Sequence, residues 1–259
     1  MSLLALAVSG RGIVPPGEPA LLADDEGFTR GRAAFESLRV YDGRPFRLEE
    51  HLDRLEASAL RLALAPPPRA KLRGLAALAL AEAGEAEVVL RFYWTPSDQA
   101  LVLVGELPPG LDEIRRSGLR LASLEIGPPW LLGGVKSTSY ALNLAAQAEA
   151  RRRGADDALF TADGVALECP TANVVWRRGS EIFTPALELG VLAGVTRAVV
   201  LDGLAVSEGA YRLGDLPDEL AFCSSIREVV AVVALDGRSI SRGTLADELQ
   251  AALRAATRS

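Results

Sequence analysis

Histidine, cysteine and lysine are scarce in this 259-residue chain, and each shortage removes a class of function. The single histidine is His51. That excludes multi-histidine metal sites and leaves a Ser-His-Asp triad with one candidate base, which lies in an amphipathic helical pattern. No HExxH, P-loop or post-strand GxGxxG is present, so no metal site and no Rossmann dinucleotide site is expected. The two cysteines, Cys169 and Cys223, are far apart and form no CxxC pair. Disulfide scaffolds and zinc clusters are therefore not expected, and a reducing cytoplasm fits. No apolar run reaches membrane-span length, and the apolar N-terminus lacks a basic leader and reads as a first strand. A net charge of -6 argues against general nucleic-acid binding.

What is present is a soluble globular composition, 49% hydrophobic and 24% charged, long enough for one large domain or two smaller ones. Of the 28 basic residues only Lys71 and Lys136 are lysines. Lys71 sits in a charged run, Arg69-Ala70-Lys71-Leu72-Arg73, and reads as a solvated helix face. Lys136 follows an apolar, glycine-bearing approach, Pro128-Pro129-Trp130-Leu131-Leu132-Gly133-Gly134. A primary amine can lose its proton and attack a carbonyl, whereas a guanidinium cannot. Burial along that approach would favour the neutral nucleophile.

The pattern predicts strands at residues 3–8 and 33–40, a loop at 24–32, and a hairpin tip at Asp42-Gly43 with the strand resuming at 46–48. Leu48, Leu52, Leu55 and Ala59 share a helical face. A second helix over 70–83 ends at Gly84. Strands follow at 88–95 and 100–105. The stretch 108–118 is turn-rich, and the domain boundary is placed there, giving domains 1–116 and 117–259. Then come a strand at 119–126, a loop at 128–134, a helix at 137–153, and strands around 157–167, 173–176 and 181–183. A short helix opens at Gly194-Val195-Thr196, strands cover 220–223 and 229–235, and a closing helix covers 244–257.

Three features beyond Lys136 suggest chemistry. Glu168 is a lone carboxylate after an apolar strand and needs a cationic or proton-donating partner. Val195 and Thr196 begin a helix of small residues, an anion site in waiting. Ser224 and Ser225 end a buried strand with two hydroxyls. An amine, a lone acid and a phosphate cradle together describe pyridoxal phosphate.

Six segments in order carry a resemblance over nearly the whole chain: Phe35 to Gly43, His51 to Ala59, Lys136 to Asn143, Glu168 to Asn173, Gly190 to Arg197, and Cys223 to Ser225. They are similar to the class IV, or fold type IV, pyridoxal-phosphate enzymes: branched-chain and D-amino-acid aminotransferases and aminodeoxychorismate lyases. The resemblance implies an α+β fold with a small N-terminal α/β sandwich and a larger C-terminal domain with a pseudo-barrel sheet, the cofactor at the domain interface. It also implies a homodimer whose sites are completed by the neighbouring subunit. Lys136 would form the Schiff base and carry the proton, and Glu168 would pair with the pyridine nitrogen. Arg54, Val195, Thr196 and Ser225 would hold the phosphate, with Thr171, Asn173 and Ser224 among the cofactor contacts.

The substrate end departs from the relatives. Phe35 stands where D-amino-acid aminotransferases of the best-known type have a tyrosine that grips the substrate carboxylate. Thr29-Arg30-Gly31-Arg32 replaces a usual Gly-Asp-Gly, and Arg91 opens Arg91-Phe92-Tyr93-Trp94. Arg30, Arg32 and Arg91 are therefore the expected carboxylate-binding residues. The first reading is a transaminase exchanging an amino group between a D-amino acid and 2-oxoglutarate. The second is aminodeoxychorismate lyase, which releases pyruvate and 4-aminobenzoate.

Overall fold

The computed structural model describes residues 2–127, 131–214 and 217–258. The chain divides into two compact units, Met1–Pro109 with Val135–Tyr140, and Gly110–Gly134 with Ala141–Ser259. The boundary expected between 116 and 117 lies within a helix.

The first unit contains β1 (Leu3–Val8), β2 (Gly12–Ile13), α1 (Glu26–Thr29), β3 (Ala34–Tyr41), β4 (Arg44–Pro45), α2 (Leu48–Arg61), α3 (Arg69–Ala83), β5 (Val88–Trp94) and β6 (Ala100–Gly105). The strands make one sheet in the order β2-β1-β6-β5-β3-β4, antiparallel at every pairing. Along β3, Ala34, Glu36, Leu38 and Val40 are buried and the residues between them half-buried, the period of two that a strand imposes. The β3–β4 turn places Asp42 at φ 48° and Gly43 at φ 74°, as a two-residue primed turn requires.

The buried side chains meet Leu52, Leu55 and Ala59 of α2 and Leu72, Leu75, Ala76 and Ala79 of α3 in one core. Each fully buried leucine there contributes about 1.5–3 kcal/mol. α3 ends at Gly84, left-handed at φ 66°, a conformation that favours glycine.

The second unit contains α4 (Leu111–Ser117), β7 (Leu119–Glu125), α5 (Ala141–Arg152), β8 (Asp157–Ala162), β9 (Val165–Ala166), β10 (Asn173–Arg178), β11 (Glu181–Pro185), α6 (Val195–Leu201), β12 (Val206–Gly209), β13 (Glu219–Ser224), β14 (Glu228–Leu235), β15 (Arg238–Ser239) and α7 (Leu245–Ala256). Its mixed sheet runs β12-β11-β10-β13-β14-β7-β8-β9, with β15 on β14. β7 and β8 are parallel, so they need a crossover, which α5 supplies. The core joins Leu121, Leu159, Val174, Trp176, Phe222, Val230 and Val232.

Four expectations change. The loop at 24–32 contains α1, whose first turn is capped by the Asp25 carboxylate accepting from the Gly27 N–H at 2.6 Å. The turn-rich 108–118 contains α4. Phe46 and Arg47 form a turn, and Leu48 already begins α2. The helix expected from 137 begins at Ala141, because the preceding residues pair with β3. Pro128–Trp130 of the expected loop lie outside the described residues. Among the described residues no helix is long and apolar enough to cross a membrane, and no group of three or more His, Cys, Asp or Glu could hold a metal ion.

Candidate active site

Lys136 belongs to the first unit and lies beside the start of β3 as an added strand-like segment. The Phe35 N–H donates to the Lys136 carbonyl at 3.0 Å and the Thr138 N–H to the Ala33 carbonyl at 2.9 Å. The Lys136 N–H donates to Ser58 Oγ of α2 at 3.1 Å. Gly31, at φ 67°, lets the loop before β3 reach this segment, since a Cβ there would press on Ser139. Lys136 Nζ lies 4.3 Å from the centre of the Phe35 ring, within cation–π range. Phe35 stacks on Tyr93 and meets Tyr140 edge-on. Lys136 itself is half-buried, and Leu131 and Leu132 in its approach are exposed. The apolar burial expected there is supplied by Phe35 instead.

Arg54, on α2, does not face solvent freely. Its Nε donates to Glu36 Oε1 at 2.7 Å and its Nη2 to Glu36 Oε2 at 2.8 Å. His51 Nδ1 also contacts Glu36 Oε2, at 2.7 Å. Glu36 and His51 are buried. Burial raises the Glu36 carboxyl pKa, but the Arg54 charge and the hydrogen bonds from Arg54 and His51 outweigh it and hold the group at about 2. Burial lowers the His51 pKa against the opposing pull of Glu36. A neutral His51 then donates Nδ1–H to the carboxylate. The single histidine therefore supports the arginine rather than serving a serine nucleophile. Sequence reasoning passed over Glu36. The signal was available: a carboxylate alternating with Leu38 and Val40 falls on the buried face of β3 and must be paired there.

The three arginines expected to bind carboxylates separate. Arg32 Nε donates to Glu26 at 2.6 Å and its Nη1 to the Leu62 carbonyl at 3.2 Å. Arg30 is exposed and lies 3.9 Å from Glu26. Arg91 is half-buried opposite Ser37 of β3, and among the described residues it forms no ion pair or hydrogen bond through its side chain. It shares its sheet face with Tyr93 and Phe35, which are themselves paired across the strands. Burial pushes the Tyr93 phenol up and the Arg91 charge opposes it.

The second unit places Glu168 just after β9. Its Oε2 accepts from Asn173 Nδ2 at 3.2 Å and from the Leu192 N–H at 3.0 Å. Asn173 also donates to the Leu192 carbonyl at 2.9 Å, and Asn143 of α5 secures the Pro170 carbonyl at 2.7 Å. Gly194 precedes α6, and a Cβ there would collide with Asn173 Oδ1. Val195 and Thr196 open α6 and are buried, and Thr196 Oγ1 donates to Ser225 Oγ at 3.4 Å. Ser224 Oγ accepts from the Arg227 N–H at 3.1 Å, so its side chain closes the β13–β14 turn. Thr171 is an exposed turn residue. Burial pushes the Cys223 thiol up to about 12 and Cys169 also well up, so neither is a nucleophile. A surface cavity of about 600 Å³, lined by Ser123, Glu125, Thr161 and Asp236 among others, contains none of these residues.

Each unit by itself offers donors that suit part of pyridoxal phosphate: the first an amine for an aldehyde and a guanidinium for a phosphate, the second a carboxylate for a pyridine nitrogen and hydroxyls beside a helix start. Comparison with known proteins points the same way. The amino-transferase class IV family model matches residues 33–235. A bifunctional aminodeoxychorismate lyase / D-amino acid transaminase of Mycobacterium tuberculosis is 31% identical, over 91% of this chain and 92% of its own. The solved fold IV transaminase CpuTA1 of Curtobacterium pusillum is 34% identical, with a TM-score of 0.85 over 92% of this chain and 91% of its own. A hypothetical aminotransferase from Mycobacterium tuberculosis, in an alpha-ketoglutarate and PMP bound form, is 31% identical, with a TM-score of 0.90 over 97% of this chain and 98% of its own. With the α+β architecture of fold type IV and a family match spanning most of its length, this chain belongs to the class IV aminotransferases.

Proposed function

We propose that the protein is a transaminase that exchanges an amino group between a D-amino acid, D-glutamate or D-alanine, and a 2-oxo acid such as 2-oxoglutarate. Enzymes of this family use pyridoxal 5′-phosphate, which supplies an electron sink for cleavage at the substrate Cα. In this reading Lys136 Nζ is the covalent anchor and, once released, takes the Cα proton. Arg54 holds the phosphate with its fork fixed by Glu36. Thr196, Ser225 and the backbone at Val195 add phosphate contacts. Glu168, steadied by Asn173, keeps the pyridine nitrogen protonated. Thr171, Asn173 and Ser224 complete the set of cofactor contacts in this reading.

The observation that carries the substrate reading is Arg91. It is a half-buried guanidinium with no ion-pair or hydrogen-bond partner among the described residues, on the sheet face shared with Phe35, whose ring lies beneath the Lys136 amine. Such a cation needs a carboxylate. Phe35 has no hydroxyl to help, so the arginine takes that role. Arg30 is the weaker second candidate, and Arg32 is committed to Glu26. Preference for the D-enantiomer is supported by the transaminase activity in the name of the Mycobacterium tuberculosis relative. We further propose a homodimer with each site completed by the neighbouring subunit, and a cytoplasmic location, which two free cysteines fit.

The same relative's name includes aminodeoxychorismate lyase, and that second reading uses the same lysine and cofactor. Absorbance of the loaded enzyme separates them. Conversion of the lysine-bound cofactor band to the amine form by D-glutamate or D-alanine, but not L-leucine, supports the transaminase. No change with any amino acid, together with 4-aminobenzoate formed from aminodeoxychorismate, supports the lyase and overturns the first reading.

A further inference from the structure

We propose that Ser58 is a positioning residue that sets Lys136 in register with Arg54. The proposal rests on the reading of Lys136 as the cofactor-capturing amine. Ser58 is buried, with 2% of its surface exposed. It lies four residues after Arg54 on α2 (Leu48–Arg61), so the two share a face about 6 Å apart along the axis. Its Oγ accepts the Lys136 N–H at 3.1 Å. Serine is a middling helix former that usually bonds its own helix or solvent when mid-helix. Here it reaches across 78 residues of chain to a backbone amide.

The consequence is geometric. Lys136 has its carbonyl held by β3, through the Phe35 N–H, and its N–H held by α2. The same helix carries Arg54, whose guanidinium is locked onto Glu36, and His51, which supports Glu36 from the preceding turn. One rigid helix therefore fixes both the root of the nucleophilic amine and the root of the phosphate-binding cation. The span between them follows from one helical turn, and not from the segment Val135–Tyr140 alone. A ligand with an aldehyde at one end and a phosphate at the other is the kind of molecule for which such a fixed span matters.

The test uses Ser58→Ala and Ser58→Thr, with Ser58→Cys as a second deletion of the strong acceptor should Ser58→Ala fail to fold. Amide hydrogen exchange is measured residue by residue on the protein without cofactor. Capture of pyridoxal phosphate and of pyridoxal, which lacks the phosphate, is followed by absorbance. In Ser58→Ala the Lys136 amide should exchange roughly tenfold faster, the loss expected for one buried hydrogen bond. The Phe35 and Thr138 amides should keep wild-type protection. Capture of pyridoxal phosphate should slow several-fold more than capture of pyridoxal, because only the phosphate-bearing ligand spans both Lys136 and Arg54 and so feels the lost register. Ser58→Thr, which keeps the hydroxyl, should restore both readouts. Unchanged exchange at Lys136, equal acceleration of all three amides, or equal slowing of pyridoxal phosphate and pyridoxal would overturn the proposal. Failure of the wild type to capture pyridoxal phosphate would instead overturn the cofactor reading on which it rests.

Discussion

Replacing Glu36 by Gln isolates the charge that organises Arg54. The carboxylate is fully buried and meets Arg54 through two hydrogen bonds and His51 through a third. Its pKa falls from 4.5 to about 2 on folding. A shift of that size corresponds to about 3 kcal/mol of stability at neutral pH. Removing one partner of a buried pair leads to a similar figure, about 3–5 kcal/mol. The sign follows from the depressed pKa. The unfolded chain binds the proton more tightly, so the contribution is complete above pH 4.5 and is lost as pH falls towards 2. At pH 3 about half remains. Urea unfolding of wild type and Glu36→Gln, each without cofactor, measures this. The gap between the two should be about 3 kcal/mol at pH 7 and should narrow by roughly half at pH 3. A gap that is the same at both values would refute the assignment of the effect to ionised Glu36, and a gap below about 1 kcal/mol at pH 7 would refute the pairing itself.

Other outcomes follow from the same geometry. Arg54→Gln should weaken pyridoxal phosphate binding by roughly 10- to 100-fold, the range for a charged hydrogen bond, and leave pyridoxal binding unchanged in a fluorescence titration. Arg91→Gln should raise KM for D-glutamate and 2-oxoglutarate by about tenfold or more, while Arg30→Gln, being exposed, changes it less than threefold in steady-state assays. Gly194→Ala should drive a Cβ into Asn173, costing about 1–3 kcal/mol as overpacking does. In thermal melts Gly194→Ala should show a lower Tm than a Gly17→Ala control, which has open space around it and no left-handed backbone.

Much of the fold was legible because its signals are local. The leucine spacing of α2, the Asp42-Gly43 turn and the Gly84 helix end depend on residues near in sequence. Two short helices escaped because α1 spans four residues and α4 seven, too few for a periodic pattern. The extended course of Lys136 to Tyr140 was not legible, since it is set by β3 and α2, distant in the chain. Without them Ser137 to Tyr140 read as the start of α5. The site was readable by chemical type: a rare amine, a lone acid and an arginine in a helix. Its supports were not. Ser58 is an unremarkable helix residue until Lys136 is placed against it, and Arg32 is indistinguishable from Arg91 until Glu26 is seen to hold it.

The central claim is that Lys136 captures the cofactor, and the chain's two lysines make it directly testable. The enzyme loaded with pyridoxal phosphate is reduced with borohydride, digested, and mapped by mass spectrometry. The account predicts a phosphopyridoxyl adduct on the peptide containing Lys136 and none in Lys136→Ala. An adduct on Lys71 alone, or one that survives in Lys136→Ala with unchanged yield, would contradict it.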